Sequence, residues 1–192
     1  MTQLTLPELT ADSSRMRALS LTQPWCGLMA VGIKGIENRS QSMISARDFG
    51  KPIGQHATRE IDKAVFARIG EIAPELWLEP PFRVENNDYA PRCEWARLSL
   101  ITSAIIAVAT PVRVIKAIGR DNISGLYIYD PEDLAEIGDQ RRWLFGKFGY
   151  VFKDARVLTT PVPCRGFQGC WTMPTEIAAL VNKSLASGVA ST

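Results

Sequence analysis

The sequence has few residues of the kinds that bind metals or form disulfides. It contains one histidine, His56, and four cysteines, Cys26, Cys93, Cys164 and Cys170, with no C-x-x-C pair among them. A structural zinc site would need ligands from three distant segments of the chain. We therefore expect the cysteines to be small buried apolar residues in a reducing compartment, and His56 to be a packed strand residue.

The sequence also lacks a long apolar run. No segment approaches the roughly 18 apolar residues that a membrane-spanning helix requires. The N-terminal residues show no basic stretch followed by an apolar one, so a secretory signal is not expected, and residues 1–17 are predicted to be a flexible arm. These features predict a cytoplasmic protein without a membrane partner.

The sequence has little excess charge of either sign. Its net charge is +2 and its pI is near 8.4, below the value of about 9 that marks a strongly basic nucleic-acid-binding domain. The charges are unevenly placed, however. Residues 71–94 hold six acidic and two basic residues, a net of −4, whereas residues 141–165 hold six basic residues and one acidic residue, a net of +5. This asymmetry allows a basic face for phosphates, and a solvated charged face is the alternative.

The order of the predicted elements indicates an α+β fold. Several short strands and three or four helices are expected, which predicts a small mixed β-barrel with peripheral helices. Helices are predicted after Pro24, over 60–72, over 131–145 and over 175–186. Strands are predicted over 18–21, 99–115, 149–158 and 161–174. Residues 79–95 are predicted to be an irregular connection.

One short segment concentrates residues suited to binding or catalysis. Lys34 is suited to contact a phosphate or, if desolvated, to act as a base, and Glu37 to keep Lys34 charged, bind a metal or accept a proton. Arg39 is suited to bind a phosphate or carboxylate with two hydrogen bonds, and Trp25 offers a face on which a base can stack. The alternative is a surface ion-pair trio above a core tryptophan, which would contribute little energetically.

Four motifs, in this order, resemble the ASCH domain family. They are LSLTQPWCGLMAVGIKGIENRS from residue 19, GQHATR from residue 54, SAIIAVATPVRVI from residue 103 and FGKFGYVFKDARVLTTPVPCRGFQGCW from residue 145. In the first motif, Gly32, Lys34, Glu37 and Arg39 match the family pattern Gly-x-Lys-x-x-Glu-x-Arg. The resemblance covers about residues 18–174.

The resemblance implies a PUA-like β-barrel with a cleft beside the first helix. It also implies a domain over 18–174 that contains a helical and loop insertion near 60–97, followed by a C-terminal helix and tail over 175–192. Lys34 and Glu37 are then the candidate catalytic residues. The candidate substrate-binding residues are Gln23, Trp25, Arg39, Tyr150 and Arg165, although core packing is the alternative for Tyr150.

The function implied first is binding of RNA or a nucleotide, with or without cleavage of the phosphodiester. A nucleoside amidohydrolase acting on N4-acylated cytidine is the second interpretation, and a non-catalytic partner-binding module is the third. The family's amidohydrolases have a Lys-x-x-Thr pair, in which the Thr hydroxyl is the nucleophile. This chain has Glu37 at the Thr position, so the nucleophilic hydroxyl would have to come from Ser40, Thr102 or Ser103. No defined cofactor is predicted; a divalent metal and the oligomeric state are left open.

Overall fold

The computed structural model describes residues 16–85 and 88–189, and it shows a mixed α+β fold. One six-stranded sheet, two two-stranded hairpins and five α-helices make up these residues. The strands are β1 (Arg17–Gln23), β2 (Ile36–Arg39), β3 (Ile53–Ile61), β4 (Phe82–Glu85), β5 (Asp88–Pro91), β6 (Ala104–Lys116), β7 (Gly119–Arg120), β8 (Tyr127–Ile128), β9 (Phe148–Pro163) and β10 (Cys170–Thr172). The helices are α1 (Trp25–Ala30), α2 (Lys63–Ile72), α3 (Glu94–Ser99), α4 (Pro131–Ile137) and α5 (Thr175–Val189).

The large sheet has the order β10-β1-β3-β6-β9-β2, in which only β1 and β3 run parallel. Strands β10 and β2 lie at its two edges. Within residues 16–85 and 88–189, no ladder pairs these two edges, so the α+β class is confirmed but the sheet does not close into the predicted barrel. Strands β6 and β9 pair along most of their length, through several register shifts, and this pairing bends the sheet without closing it.

The centre of the core is the first half of β6. All six residues from Ala104 to Ala109 are buried, because this strand lies between β3 and β9 and helices cover the sheet. The predicted strand over 99–115 therefore exists but begins later, at Ala104. Its first predicted residue, Ser99, instead ends α3, where its hydroxyl donates to the carbonyl of Trp95 at 2.7 Å.

The predicted helix over 60–72 is correct only from Lys63. Glu60 and Ile61 still belong to β3, and Asp62 caps the helix by accepting a hydrogen bond from the Ala64 amide at 3.0 Å. The predicted helix over 131–145 ends at Ile137 and continues as a 3-10 helix, Gly138–Trp143.

The remaining predictions have mixed outcomes. The helix predicted over 175–186 is confirmed as α5, whereas the connection predicted over 79–95 contains the β4–β5 hairpin and the start of α3. The strands predicted over 149–158 and 161–174 form one long strand, β9, and the short β10. The predicted arm falls mostly on residues 1–15, which lie outside the described residues; Arg17 is already in β1. No helix among the described residues is long and apolar enough to span a membrane.

Candidate functional site

The segment that joins α1 to β2 positions Lys34. Helix α1 ends at Ala30, and Gly32 follows in the left-handed region, with φ of +76°, where the chain reverses direction. The Lys34 amide then donates to the Leu28 carbonyl at 3.3 Å, and the Gly35 carbonyl accepts from the Phe152 amide of β9 at 2.8 Å. These bonds hold Lys34 between the first helix and the long strand. Lys34 therefore precedes β2, so the alternation of side chains along this strand does not place Lys34 and Glu37 on opposite faces.

The Lys34 side chain is buried, with 2% of its surface exposed. Its Nζ donates to Glu37 Oε2 at 3.0 Å, to the Ile36 carbonyl, and weakly to the Met29 sulfur at 3.7 Å. It also lies 5.5 Å from the ring centre of Trp25. An ammonium group has three donors, and these three acceptors can use all of them. Lys34 is thus not part of a surface ion-pair trio.

Burial lowers the pKa of Lys34 from its usual 10.5, and the Glu37 carboxylate opposes this shift. Arg39, a second cation nearby, lowers it further. Cys26 lies close to the same group, and burial raises the pKa of its thiol, so that Cys26 is an inert buried thiol. The other three cysteines are free and half-buried.

Glu37 connects Lys34 to Arg39. It is 8% exposed, and its Oε1 lies 3.0 Å from Nε of Arg39 while its Oε2 accepts from Lys34. Arg39 in turn donates to the Ser20 carbonyl of β1 at 2.7 Å. The three charged residues therefore form one linear network, Lys34–Glu37–Arg39, between β2 and β1.

A depression of about 330 Å³ adjoins this network. Lys34 lies at its base, and the exposed Lys153 lies at its rim. It is lined by Met29, Gly32, Lys34, Gly35, Phe152, Lys153, Asp154 and Ala155. No Ser or Thr is part of this lining or hydrogen-bonds to Lys34 among the described residues. Ser40, Thr102 and Ser103, the hydroxyl donors considered from the sequence, are therefore not placed at Lys34.

Trp25, the predicted stacking residue, is half-buried beside the network. Its ring meets that of Trp143 nearly edge-on, at a centroid distance of 6.1 Å, and that of Phe145 at 6.1 Å. Gln23 is fully buried. Its amide nitrogen donates to the Leu98 and Ile101 carbonyls, and its amide oxygen accepts from the Gly27 amide, so these contacts connect α1 to the end of α3.

Tyr150 and Arg165 lie outside the depression. Tyr150 is 1% exposed, and its hydroxyl accepts from the Met43 amide at 2.8 Å, which ties the loop after β2 to β9. Arg165 is exposed in the loop between β9 and β10, with its guanidinium 5.7 Å from the ring centre of Phe167. The structure therefore brings together Trp25, Lys34, Glu37 and Arg39, and it places Tyr150 directly opposite Glu37 in the β2–β9 ladder. Gln23 bonds instead to Gly27 and to the end of α3, and Arg165 lies in the β9–β10 loop.

His56 is packed as expected, with 3% of its surface exposed. Its Nε2 lies 3.2 Å from the Cys164 carbonyl, and its Nδ1 lies 3.4 Å from the Ser20 hydroxyl. The described residues contain no group of three or more His, Cys, Asp or Glu side chains arranged to hold a metal ion. Glu37 has no second carboxylate or imidazole in its network, since its two partners are both cations.

Sequence reasoning missed a basic region beside β9. The loop after β2 carries Arg47 and Lys51, and the Gly50 amide of this loop donates to the Pro111 carbonyl of β6 at 2.9 Å. This contact places the loop next to the part of the sheet that carries Lys153 and Arg156. The run of basic residues over 141–165 indicated only the part of this region that lies on β9. The loop after β2 could not be assigned to it, because this loop comes from a distant part of the sequence.

No protein-family model and no curated protein matches this chain. Among solved structures, it is similar to the crystal structure of ASCH from Zymomonas mobilis, with 11% identity, coverage of 92% of this chain and 96% of the other, and a TM-score of 0.45. A mutant of the same Zymomonas mobilis protein matches with 13% identity, coverage of 90% and 98%, and a TM-score of 0.45. Both are structures of the family whose motifs this sequence resembles.

Proposed function

We propose that this protein binds single-stranded RNA, or the nucleotides of RNA, on the surface formed by Arg47, Lys51, Lys153 and Arg156, which we term the basic surface. All four side chains are exposed. The motif resemblance favours RNA over other polyanions, and the four positive charges favour contacts with its phosphates. Lysine and arginine side chains on an open surface supply the sequence-independent part of nucleic-acid affinity.

The observation that carries this proposal is the bulge in β9 between Lys153 and Arg156. Lys153 pairs with Thr110 of β6, whereas Arg156 pairs with Val108 only two residues away, so an extra residue of β9 is accommodated between them. Asp154, within the bulge, has a φ of +53°. Residues three apart in a regular strand point to opposite faces, but the bulge returns Lys153 and Arg156 to the same face.

Lys34 has a different role in this proposal from the one its motif first indicates. Because it is buried and its donors are occupied, it does not contact phosphate; it holds Glu37 and the start of β2 beside the basic surface. The contact to RNA is made by Lys153 at the rim of the depression. Arg39 is similarly committed to Glu37 and Ser20.

The test is a titration of fluorescently labelled single-stranded RNA, read by anisotropy at several salt concentrations between about 20 and 200 mM. The wild-type affinity is expected to fall steeply with salt. The double variant Lys153→Gln/Arg156→Gln is expected to bind more weakly and to reduce the slope of log K against log salt by about 1.4, since each contact to a single strand contributes about 0.7.

Lys63→Gln is the matched control, because Lys63 is an exposed lysine at the start of α2, outside the basic surface. It should retain both the affinity and the slope. Absence of salt-sensitive RNA binding at the lowest ionic strength would contradict the proposal, as would equal slopes for the wild type and the double variant.

Cleavage of bound RNA is a second candidate, and it is favoured by the lowered pKa of Lys34 at the base of the depression. A neutral Lys34 would accept the proton of a ribose 2′-hydroxyl, and the 2′-oxygen would attack the neighbouring phosphorus to form a 2′,3′-cyclic phosphate while the 5′-oxygen of the next nucleotide leaves with a proton from water. Arginine stays charged and cannot accept that proton. Wild-type protein would then cleave labelled RNA faster as the pH rises, and a folded Lys34→Arg variant would bind RNA without cleaving it. Equal cleavage by the two proteins would exclude Lys34 as the base. Amide hydrolysis has less support, because no hydroxyl nucleophile lies at Lys34 among the described residues.

A further inference from the structure

A second and larger cavity, of about 550 Å³, lies between the start of β1, the loop before β3 and helix α5. Its volume falls in the range of about 300–1,000 Å³ that is typical of small-molecule sites. It shares no lining residue with the depression at Lys34. It is lined by Met16, Arg17, Arg47, Asp48, Lys51, Pro52, Ile53, Arg156, Thr172, Asn182 and Leu185.

The charged residues of this cavity favour an anion. Four of them are cations and one is a carboxylate, which gives a net charge of +3. Arg47 and Arg156 are exposed, so their charged groups remain accessible to a ligand. A phosphate monoester, with a charge near −2 at neutral pH, balances more of this charge than a phosphodiester with a single charge does.

The carboxylate of Asp48 indicates a second property that a ligand of this cavity should have. Asp48 is 6% exposed, and its Oδ2 has no hydrogen-bond partner among the described residues. The nearest cation, Nε of Arg17, is 3.8 Å away and lacks a hydrogen-bond acceptor as well. Arg17 cannot easily move closer, because its other nitrogens donate to Thr172 Oγ1 at 3.0 Å and to the Cys170 carbonyl at 2.8 Å.

Asp48 lines the cavity, and a buried carboxylate oxygen that lacks a donor is an unusual feature of a folded protein. The Asp48 carboxylate is suited to accept a hydrogen bond from an amino or hydroxyl group of a bound molecule. The cavity also has apolar walls, formed by Met16, Pro52, Ile53 and Leu185. The ligand chemistry that matches all three features is an anionic group, a hydrogen-bond donor and an apolar or flat body in between.

The geometry points to a site for a phosphate monoester of a nucleoside, with the phosphate at Arg47 and Arg156 and a donor of the sugar or base at Asp48. This site goes beyond the RNA binding proposed above, which requires only phosphodiesters along an open surface. The monoester comes either from a free nucleotide or from the 5′-phosphorylated end of an RNA chain.

The first experiment is isothermal titration calorimetry of the full chain with 5′-AMP, 5′-CMP, the matching nucleosides and inorganic phosphate. Both nucleotides are expected to bind at least tenfold more tightly than the nucleosides and than inorganic phosphate. Saturation by no nucleotide at 5 mM would overturn the proposal. Equal affinities for nucleotide and inorganic phosphate would also overturn it, because Asp48 and the apolar walls would then contribute nothing.

Two variants separate the two halves of the site. Arg47→Gln should weaken nucleotide binding at least fivefold. Because Arg47 is exposed, this variant still tests the site if other variants fold poorly. Asp48→Asn removes the acceptor charge without changing the shape of the side chain. It should weaken nucleotide binding while leaving inorganic phosphate binding unchanged or stronger, since a negative charge is lost. A parallel loss, or a parallel gain, for both ligands would contradict the role given to Asp48.

Competition identifies the source of the monoester. Because the basic surface shares Arg47 and Arg156 with this cavity, both RNAs are expected to compete with 5′-AMP. Displacement of 5′-AMP by 5′-phosphorylated RNA at least tenfold more potently than by 5′-hydroxyl RNA identifies the ligand as a chain end, whereas equal potency of the two RNAs excludes the chain end and leaves the free nucleotide. Lys153→Gln, outside the cavity lining, should weaken RNA binding but not 5′-AMP binding, so failure of the RNA proposal and failure of this site are distinguishable.

Discussion

Lys34 donates a hydrogen bond to Glu37 Oε2 at 3.0 Å while only 2% of its own surface is exposed. The pair is therefore a buried ion pair, extended on one side by Arg39, and not a set of surface charges. Removing one member of such a pair leaves the other charge desolvated with fewer partners. This property gives predictions that do not depend on the identity of a ligand.

Lys34→Met should destabilise the protein by about 3–5 kcal/mol, because Glu37 would remain largely buried with Arg39 as its only charged partner. Methionine retains most of the side-chain volume, so the loss reports on the charge more than on a cavity. Urea denaturation followed by tryptophan fluorescence measures it. Lys153→Met, at the exposed rim of the same depression, is the control and should change stability by no more than about 0.5 kcal/mol. Equal effects of the two substitutions would mean that the buried pair contributes no more than a surface lysine.

Adding Glu37→Gln to the Lys34→Met variant should recover part of the lost stability. The neutral amide costs less to keep buried than an unpaired carboxylate does, so the double variant is expected to be at least about 1 kcal/mol more stable than Lys34→Met alone. The complete double-mutant cycle, measured in one buffer, gives the coupling energy between the two residues. A double variant whose loss equals the sum of the two single losses would show that the two residues are energetically independent.

The candidate site was predictable from sequence to the extent that it is local. The motif resemblance identified Lys34, Glu37 and Arg39 as a group, whereas strict strand alternation would separate Lys34 from Glu37; the group forms because Lys34 precedes β2. Their burial was not predictable, because it depends on Phe152 of β9, more than 100 residues later in the chain, which hydrogen-bonds to the Gly35 carbonyl. A local pattern carries no information on that contact.

The large cavity shows the same limit more strongly. Arg17, Asp48 and Arg156 come from three separated segments, and of these only the segment of Arg156, within the basic run over 141–165, has a pattern that indicated part of the region. The fold class was predicted because strand and helix patterns are local, whereas closure of the barrel was wrongly expected because closure depends on how two distant edge strands, β2 and β10, are placed. The start of a helix was predicted wrongly where a single capping residue sets it, as Asp62 does for α2.

Gly27→Ala should destabilise the protein by about 1–3 kcal/mol, because α1 packs directly on α3 at this position. A Cβ at Gly27 would lie 2.4 Å from the Ser99 hydroxyl and 2.8 Å from the Trp95 carbonyl oxygen, and the backbone carbonyl cannot move without disturbing α3. The change in melting temperature measures the effect. Gly119→Ala is the control, since its Cβ would meet nothing nearer than 3.7 Å. If the Gly27→Ala variant has the same melting temperature as the wild type and the control, the tight α1–α3 contact is not present in solution.

The stability of the protein should fall as the pH is lowered below about 6.5, in part because of His56. Burial lowers the pKa of this imidazole from its usual 6.5, although its bond to the Cys164 carbonyl opposes the shift. Above pH 6.5 the imidazole is neutral in both states. Below it, the unfolded state takes up the proton first, so unfolding becomes more favourable until the pH has passed the folded-state pKa.

This contribution can be isolated because His56 is the only histidine in the chain. Over the titration window it lowers the unfolding free energy by at most about 1.4 kcal/mol per pH unit. Urea denaturation at pH 7.5, 6.5 and 5.5 should therefore show a steeper loss for the wild type than for His56→Gln, whose amide nitrogen still reaches toward the Cys164 carbonyl. The imidazole proton signals should titrate with a midpoint below 6.5 in the folded protein. A midpoint at or above 6.5, or identical pH profiles for the two proteins, would show that burial does not control the protonation of His56.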